Sequence, residues 1–413
     1  MDRRFASVPI LRALTATALA LLLAPAAAAQ KAYFPAAGDW ERRAPAEVGM
    51  DAARLEAAVD FAIESETDAP RDLELNHYMS FGREPFGDAI GPFKERGDPA
   101  GVIIRNGYIV AEWGDPERVD VTFSVTKSFI TAVVGLAYDR GLIRDVHDPV
   151  HPYTAPVTPV QMPFGEVRGG AERLGESAPL EPFESEHARG ITWDHLLRQT
   201  SDWSGTLWGK PDWADRPARD LRAEMARERH EPGTVYEYND VRVNLLALAA
   251  LNVWRQPLPR VLREHLMGPI GASPTWRWHG YDNSWVVLDG EVMQSPAGGA
   301  HWGGGMWISA LDQARFGLLT ARDGRWGEER ILSEEWLRMA RTPGEVNPAY
   351  GFMNWFLGQD FLPSATPGSF AHMGAGTNMV YVDPAHDLVV VARWIERGAI
   401  DELVRRVLDA VVE

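Results

Sequence analysis

Strand-forming runs stand near both ends of this 413-residue chain, with mainly helical patterns between them, and that placement limits the fold most. Residues Gly101 to Trp113 form two β-branched runs around Asn106-Gly107, a strong hairpin signal. Far downstream, Asn378 to Val382 and Leu388 to Trp394 are a second strand pair, joined by Asp383-Pro384-Ala385-His386-Asp387. A last helix puts Leu403, Val404, Val407, Leu408 and Val411 on one face. Strands lie near both ends and helices dominate the middle, which favours an α+β fold, a sheet lobe with a helical insertion, over alternating βαβ units.

The helical stretches can be read one by one. Asp51 caps a helix carrying Leu55, Ala58, Val59 and Ala62 at helical spacing. A Gly/Pro-rich loop then runs through residue 99. Ser124 to Arg140 is helical, with Gly141 as its stop. From Asp145 to Gly190 weak periodicity and many Pro and Gly predict loop with short helices. Ile191 to Gln199, Asp220 to His230, Asn239 to Trp254 and Ala310 to Ala321 follow as helices. The sheet lobe is expected over about 45–122 and 290–413 and the helical lobe over about 123–289, one catalytic domain over 45–413.

The start reads as an address. Arg3, Arg4 and Arg12 precede an apolar run from Ala13 that ends in Pro25 and four alanines, the pattern of a secretory signal peptide over residues 1–29. An extended lead-in, 30–44, follows. At 17 residues and broken by Pro25, Ala13 to Ala29 is a poor membrane span. Cleavage would leave 38 basic and 57 acidic residues, so an exported, soluble, acidic protein in a periplasm-like or extracellular space is expected. The whole chain already carries a formal charge of -17, which repels phosphate backbones and argues against nucleic-acid binding. The absence of cysteine removes thiolate nucleophiles and Cys-ligated metal sites together.

Only four lysines occur: Lys31, Lys94, Lys127 and Lys210. One of them closes Ser124-Val-Thr-Lys127 at the start of a helix, where positions i and i+3 share a face. A serine hydroxyl needs an adjacent base to act as a nucleophile, and a buried lysine amine can serve. With 16 Ser and four Lys, chance supplies about 0.15 such pairs in a chain of this length, so the motif needs company. Company comes from two further segments. Pro232-Gly-Thr-Val-Tyr-Glu-Tyr238-Asn-Asp240 is a turn feeding a helix, and a tyrosine there can exchange protons with a nearby lysine. Ser369-Phe-Ala-His372-Met-Gly374-Ala375-Gly376 enters the C-terminal strand pair, and its glycines permit close backbone approach to a ligand. Taken singly, a packing tyrosine with a satisfied hydroxyl is the better reading of the first, and an ordinary glycine turn after a strand is the plain reading of the second.

Together the three segments resemble the serine β-lactamase and penicillin-binding-protein superfamily, in its class C, DD-peptidase and family VIII esterase branch. That family carries Ser-x-x-Lys, Tyr-x-Asn and Lys-Thr-Gly or His-x-Gly in this order; here they are Ser124–Lys127, Tyr238–Asp240 and His372–Gly374. The spacing after Pro232-Gly-Thr selects Tyr238 over Tyr236. The resemblance extends over roughly residues 45 to 410, including Ile191 to Ser201 and Gly303 to Ser309, and implies a β-lactamase-like α+β fold: an antiparallel sheet from both chain ends flanked by terminal helices, with a mainly helical lobe. It implies Ser124 as nucleophile, Lys127 and Tyr238 as the proton-handling pair, and backbone N–H groups of Ser124 and Ala375 as oxyanion hole. It also implies His372, Gly374 and Asp240 at the substrate. Two departures matter: Asp240 stands for the family's Asn and His372 for the lactamases' Lys, and both weaken a site for an anionic substrate.

The resemblance therefore implies an acyl-enzyme hydrolase of small-molecule esters, amides or lactams that needs no cofactor, with ester and small-amide cleavage favoured. The alternatives are a β-lactamase or D-Ala-D-Ala carboxypeptidase, and a non-catalytic penicillin-binding sensor. His147 and His151 are separated by Pro149 and followed by Pro152, so they share no helix face for a metal. His195 and His301 read as structural or pocket-lining. Trp193, Trp203, Trp208 and Trp302 are candidates to line an apolar cleft, although buried tryptophan more often serves the core. Oligomeric state is not written in the sequence.

Overall fold

Asn106 (φ +53°) and Gly107 (φ +86°) both take the left-handed conformation that a two-residue hairpin turn requires. They join strand β1 (Ala100–Arg105) to β2 (Tyr108–Trp113) in the computed structural model, which describes residues 32–160, 179–356 and 361–412. The leader expected over 1–29 lies outside the described residues, as do 161–178 of the loop-rich stretch. Among the described residues, no helix is long and apolar enough to cross a membrane.

The C-terminal strands are β3 (Trp355–Phe356), β4 (Phe370–Gly374), β5 (Asn378–Asp383) and β6 (Leu388–Arg393). One antiparallel sheet results, in the order β3-β4-β5-β6-β1-β2. Ala100 sits opposite Arg393 and Arg105 opposite Leu388, so the two ends of the chain are paired directly. The helices that matter for the site are α1 (Ala52–Glu64), α2 (Leu73–Phe81), α3 (Thr126–Asp139), α4 (Asp240–Trp254), α5 (Ala310–Ala321) and α6 (Ile400–Asp409).

Both faces of this sheet are covered, which is why its strands read as unbroken apolar runs rather than alternating ones. Ile103, Met379, Tyr381, Val390 and Ala392 face α1 and α6, where they meet Leu55, Ala58, Leu403, Val404 and Val407. Their neighbours Val102, Ile104, Val380, Val389 and Val391 face the other way, towards α5 and the main core. Each fully buried Leu or Val contributes about 1.5–3 kcal/mol, so either face is a large share of the stability. Asp51 caps α1 by accepting from Arg54 N at 3.0 Å, as its sequence predicts. Helices α3 and α4 are buried nearly all round and form the centre of the second half of the molecule.

Three stretches differ from the sequence reading. Helix α2 lies in the segment read as loop; its signal was Asp72, whose carboxylate accepts from Glu74 N and Leu75 N. The middle of the chain also holds strands: Arg277–Leu288 and Glu291–Pro296 form a hairpin around Asp289-Gly290, and Gly305–Ile308 pairs with Arg277–His279. An Asp-Gly turn was legible there. The helix expected over Asp220–His230 stops at Ala226, because Arg227 and His230 are pulled to the buried carboxylate of Asp202. Those charge-assisted bonds outweigh another helical turn.

Candidate active site

Ser124 sits on a tight turn that enters α3. Its predecessor Phe123 has φ +46°, a left-handed conformation that a bulky side chain avoids unless its surroundings impose it. The surroundings do so at both ends: Thr122 N donates to Met306 O at 2.8 Å, and Thr126 Oγ1 accepts from Met306 N at 2.9 Å. The Phe123 ring packs edge-on against Trp394. The result is a serine fixed at a helix start, beside the positive end of the α3 dipole.

One helical step along, Lys127 Nζ lies 2.9 Å from Ser124 Oγ. The lysine is buried and ion-paired to Asp240 Oδ1 at the start of α4. Its ammonium stands 4.6 Å from the centre of the Tyr238 ring. Burial alone pulls the Lys127 pKa down, but the Asp240 carboxylate and the Tyr238 hydroxyl outweigh it and raise the value above that of free lysine. The same interaction works on Asp240: burial opposes its charge, yet Lys127, Arg216 and His301 hold its carboxyl well below the usual range. Arg216 Nη2 binds Asp240 Oδ2 at 3.1 Å, so both carboxylate oxygens are engaged.

Tyr238 completes the serine's surroundings. The Lys127 ammonium and the Arg216 guanidinium both stand near its ring, with Trp355 stacked nearby at a 6.1 Å centroid distance. Tyr236, the alternative in the motif, packs against Tyr350 with its hydroxyl buried and unpartnered. Across from the serine, Gly374 ends β4 against the turn from Thr122 to Ser124. A Cβ on Gly374 would stand 2.2 Å from Thr122 O and 3.1 Å from Ser124 N. Only glycine allows that approach, and it brings Ala375 together with Ser124 in the lining of one cleft.

The cleft has a volume of about 580 Å³. Ser124, Tyr238, Arg216 and Ala375 line its floor, and Phe81, Phe93, Phe123, Trp355, Phe356 and Phe361 line its walls. A volume and lining of this kind suit a small, partly apolar molecule. Trp193, Trp203, Trp208 and Trp302 are buried and not among the lining residues; Trp355 takes the part expected of them. Arg397, before α6, stands at the cleft with its guanidinium over Phe361.

Two expected substrate contacts are placed elsewhere. The His372 imidazole is on the far side of β4, with Nδ1 2.7 Å from Ser128 Oγ and the ring against Phe316 and Phe370. Successive residues of a strand face opposite sides, so it is Met373 that lines the cleft. Burial pushes the His372 pKa down to about 3, so it supplies no cation. Asp240, buried and bound to two cations, acts on Lys127 rather than on a ligand in the cleft. Asp215, Arg216, Glu84 and Trp355 went unread in the sequence because they lie in loops, an unread helix-to-loop junction and a two-residue strand, with no local pattern.

The chain matches the profile of the Beta-lactamase family over residues 89–394. It belongs to the beta-lactamase family. The family's fold recurs in solved structures at low identity. EstCE1, described as a hydrolase with promiscuous acyltransferase activity, shares 17% identity with a TM-score of 0.52, covering 87% of this chain and 99% of that one. The octameric penicillin-binding protein homologue from Pyrococcus abyssi gives 16% and 0.50, covering 87% and 77%. SurE with D-Leu gives 15% and 0.52, covering 87% and 76%. An uncharacterized Mycobacterium tuberculosis protein is 26% identical over 128 residues, 27% of this chain, and the chain spans about a third (32%) of that relative's length. Members of this fold family are mostly serine hydrolases.

Asp215, Asp240 and His301 offer carboxylate and imidazole atoms within 4.8 Å of one another. A divalent cation there would sit beside Lys127 and Arg216, which already occupy the Asp240 carboxylate, so charge repulsion disfavours it.

Proposed function

We propose that the protein is an exported serine hydrolase that cleaves ester or amide bonds of small molecules through an acyl-enzyme on Ser124. The observation that carries this reading is the 2.9 Å contact between Ser124 Oγ and Lys127 Nζ on the floor of an aromatic cleft. Ser124 Oγ attacks the carbonyl carbon, and its proton leaves into the Lys127–Tyr238 pair. The carbonyl oxygen, now negative, is received by the N–H groups of Ser124 and Ala375. Collapse of this adduct expels the alcohol or amine, which takes the proton back from the pair. Water then repeats the sequence in reverse and frees the acid.

The fold likeness to a protein named as a hydrolase with acyltransferase activity is in keeping with acyl transfer. An ester or amide with an apolar acyl or leaving group suits walls built from Phe81, Phe93, Trp355 and Phe361. The lactamase or carboxypeptidase reading has one observation in its favour: Arg397 supplies a cation at the cleft, although His372 does not. Purified mature protein and its Ser124→Ala variant, assayed on a short-chain p-nitrophenyl ester and a chromogenic cephalosporin, separate these readings. Serine-dependent ester turnover with little cephalosporin cleavage is expected. Faster cephalosporin turnover would move the assignment to a β-lactamase, and loss of neither activity in Ser124→Ala would overturn the nucleophile.

A further inference from the structure

The glycine-rich loop from Gly298 to Gly304 closes over the Lys127–Asp240 pair. A Cβ on Gly299 would stand 1.8 Å from Asp240 Oδ1 and 2.2 Å from Lys127 Nζ, so the loop backbone touches the ion pair itself. Gly298 N donates to Asn244 Oδ1 of α4 at 2.7 Å and anchors it. This loop carries His301, whose side chain is fully buried between the rings of Phe81 and Trp302.

His301 Nε2 is 2.8 Å from Glu84 Oε2 and 3.6 Å from Asp215 Oδ1. Carboxylates accept, so Nε2 carries the hydrogen. The other nitrogen, Nδ1, is buried, has no hydrogen-bond partner, and faces Asp240 Oδ2 at 3.7 Å. Without a proton on Nδ1, its lone pair faces a carboxylate oxygen, and two acceptors repel. The charges point the same way. Glu84 at Nε2 and Asp240 opposite Nδ1 put a carboxylate at each ring nitrogen, so a proton arriving on Nδ1 is flanked by two negative groups, while burial pushes the Asp215 carboxyl up, towards its neutral form. The remaining titratable neighbours are His77, which interacts with His301 across α2, and Lys210, which lies over Trp302.

We propose that His301 is a positioning residue for Lys127, and that the two share one mobile proton across Asp240. In the resting form Lys127 is the ammonium and His301 is neutral. In the form that reacts, the Lys127 N–H bond has broken and an Nδ1–H bond has formed on His301, stabilised by Glu84. The charge of the cluster is unchanged, and Lys127 is a free amine able to take the proton of Ser124. A lysine held charged by Asp240 thereby becomes a base at neutral pH without losing a proton to solvent.

This inference rests on the proposed hydrolase reading and is tested by the pH dependence of kcat/KM for a p-nitrophenyl ester. In the native protein the two forms contain the same number of protons, so the rate should be flat between the titrations of the shared pair and fall below the first. In His301→Gln the free amine forms only by loss of a proton to solvent, so log kcat/KM should rise with pH by about one unit per pH unit through neutrality. Glu84→Gln weakens the imidazolium: the acid limb should move down by about one pH unit and the plateau should drop about tenfold. Superimposable profile shapes in native and His301→Gln enzyme, or an unmoved acid limb in Glu84→Gln, would overturn the shared proton. An NMR titration of His301 in Ser124→Ala needs no turnover. There Glu84→Gln should lower the imidazole titration whether or not esters are substrates, and no change would refute the coupling independently of the hydrolase assignment.

Discussion

Lys127 and Asp240 form an ion pair in which each side chain is 1% exposed, directly beneath the hydroxyl of Ser124. A buried pair of this kind is a weak source of net stability, because both charges lose their hydration. What it supplies is position: the ammonium is held at one point, within hydrogen-bond distance of Ser124 Oγ. Arg216 on the second oxygen of Asp240 keeps the carboxylate from rotating away.

Ser124→Ala should abolish acylation, and Lys127→Ala should cost two to four orders of magnitude in kcat, the usual worth of a proton-transfer partner. Mass spectrometry after mixing with a slow ester reports the first as loss of the acyl adduct. Stopped-flow bursts report the second.

Asp240→Asn leaves Lys127 and Arg216 as buried cations without their shared counter-charge, and should destabilise the protein by about 3–5 kcal/mol. The sign with pH follows from the two shifts. The lowered Asp240 pKa stabilises the fold above the ordinary carboxyl range and is lost as pH falls through the folded value. The raised Lys127 pKa stabilises below the ordinary lysine range and is lost as pH rises through the folded value. Denaturant midpoints of native and variant protein should therefore differ most between about pH 4 and pH 10, and converge on either side. A constant difference at all pH values would contradict the pairing.

Gly299→Ala places a methyl group inside the Lys127–Asp240 contact. Overpacking of this order costs about 1–3 kcal/mol, and here it also pushes the amine off Ser124. A tenfold or greater fall in kcat with near-native circular dichroism is the expected result.

Gly374→Ala drives β4 away from the turn at Thr122 to Ser124. The proposed oxyanion donor Ala375 then moves with the strand. Loss of one such donor costs about 10²–10³ in kcat with little change in KM. A change in KM alone would place Gly374 in substrate binding instead.

How much of this was legible before the structure depends on distance along the chain. The strand pairs at 101–113 and 378–394 were readable because strand and turn preferences are local, and Asn106-Gly107 can do little else. Ser124 with Lys127 was readable because a helix turn fixes i and i+3 on one face. Helix α2 and the hairpin around Asp289-Gly290 carried their own signals, Asp72 and the Asp-Gly pair, which the surrounding Gly and Pro obscured.

The sequence by itself determined the strand pairs near each chain end and the serine–lysine pair, because these depend on residues a turn or a strand apart; Tyr238 was read from the resemblance of its segment to a family motif. Tertiary structure alone decided which residues surround that pair. It turned His372 away from the cleft through the alternation of one strand, brought Arg216 and His301 to Asp240 from separate loops, and built the aromatic walls from α2, β3, the segment between β3 and β4, and loop residues such as Phe93. Those contacts join residues tens to hundreds of positions apart. No local propensity encodes them; they are fixed only when buried charges must find partners and apolar faces must close.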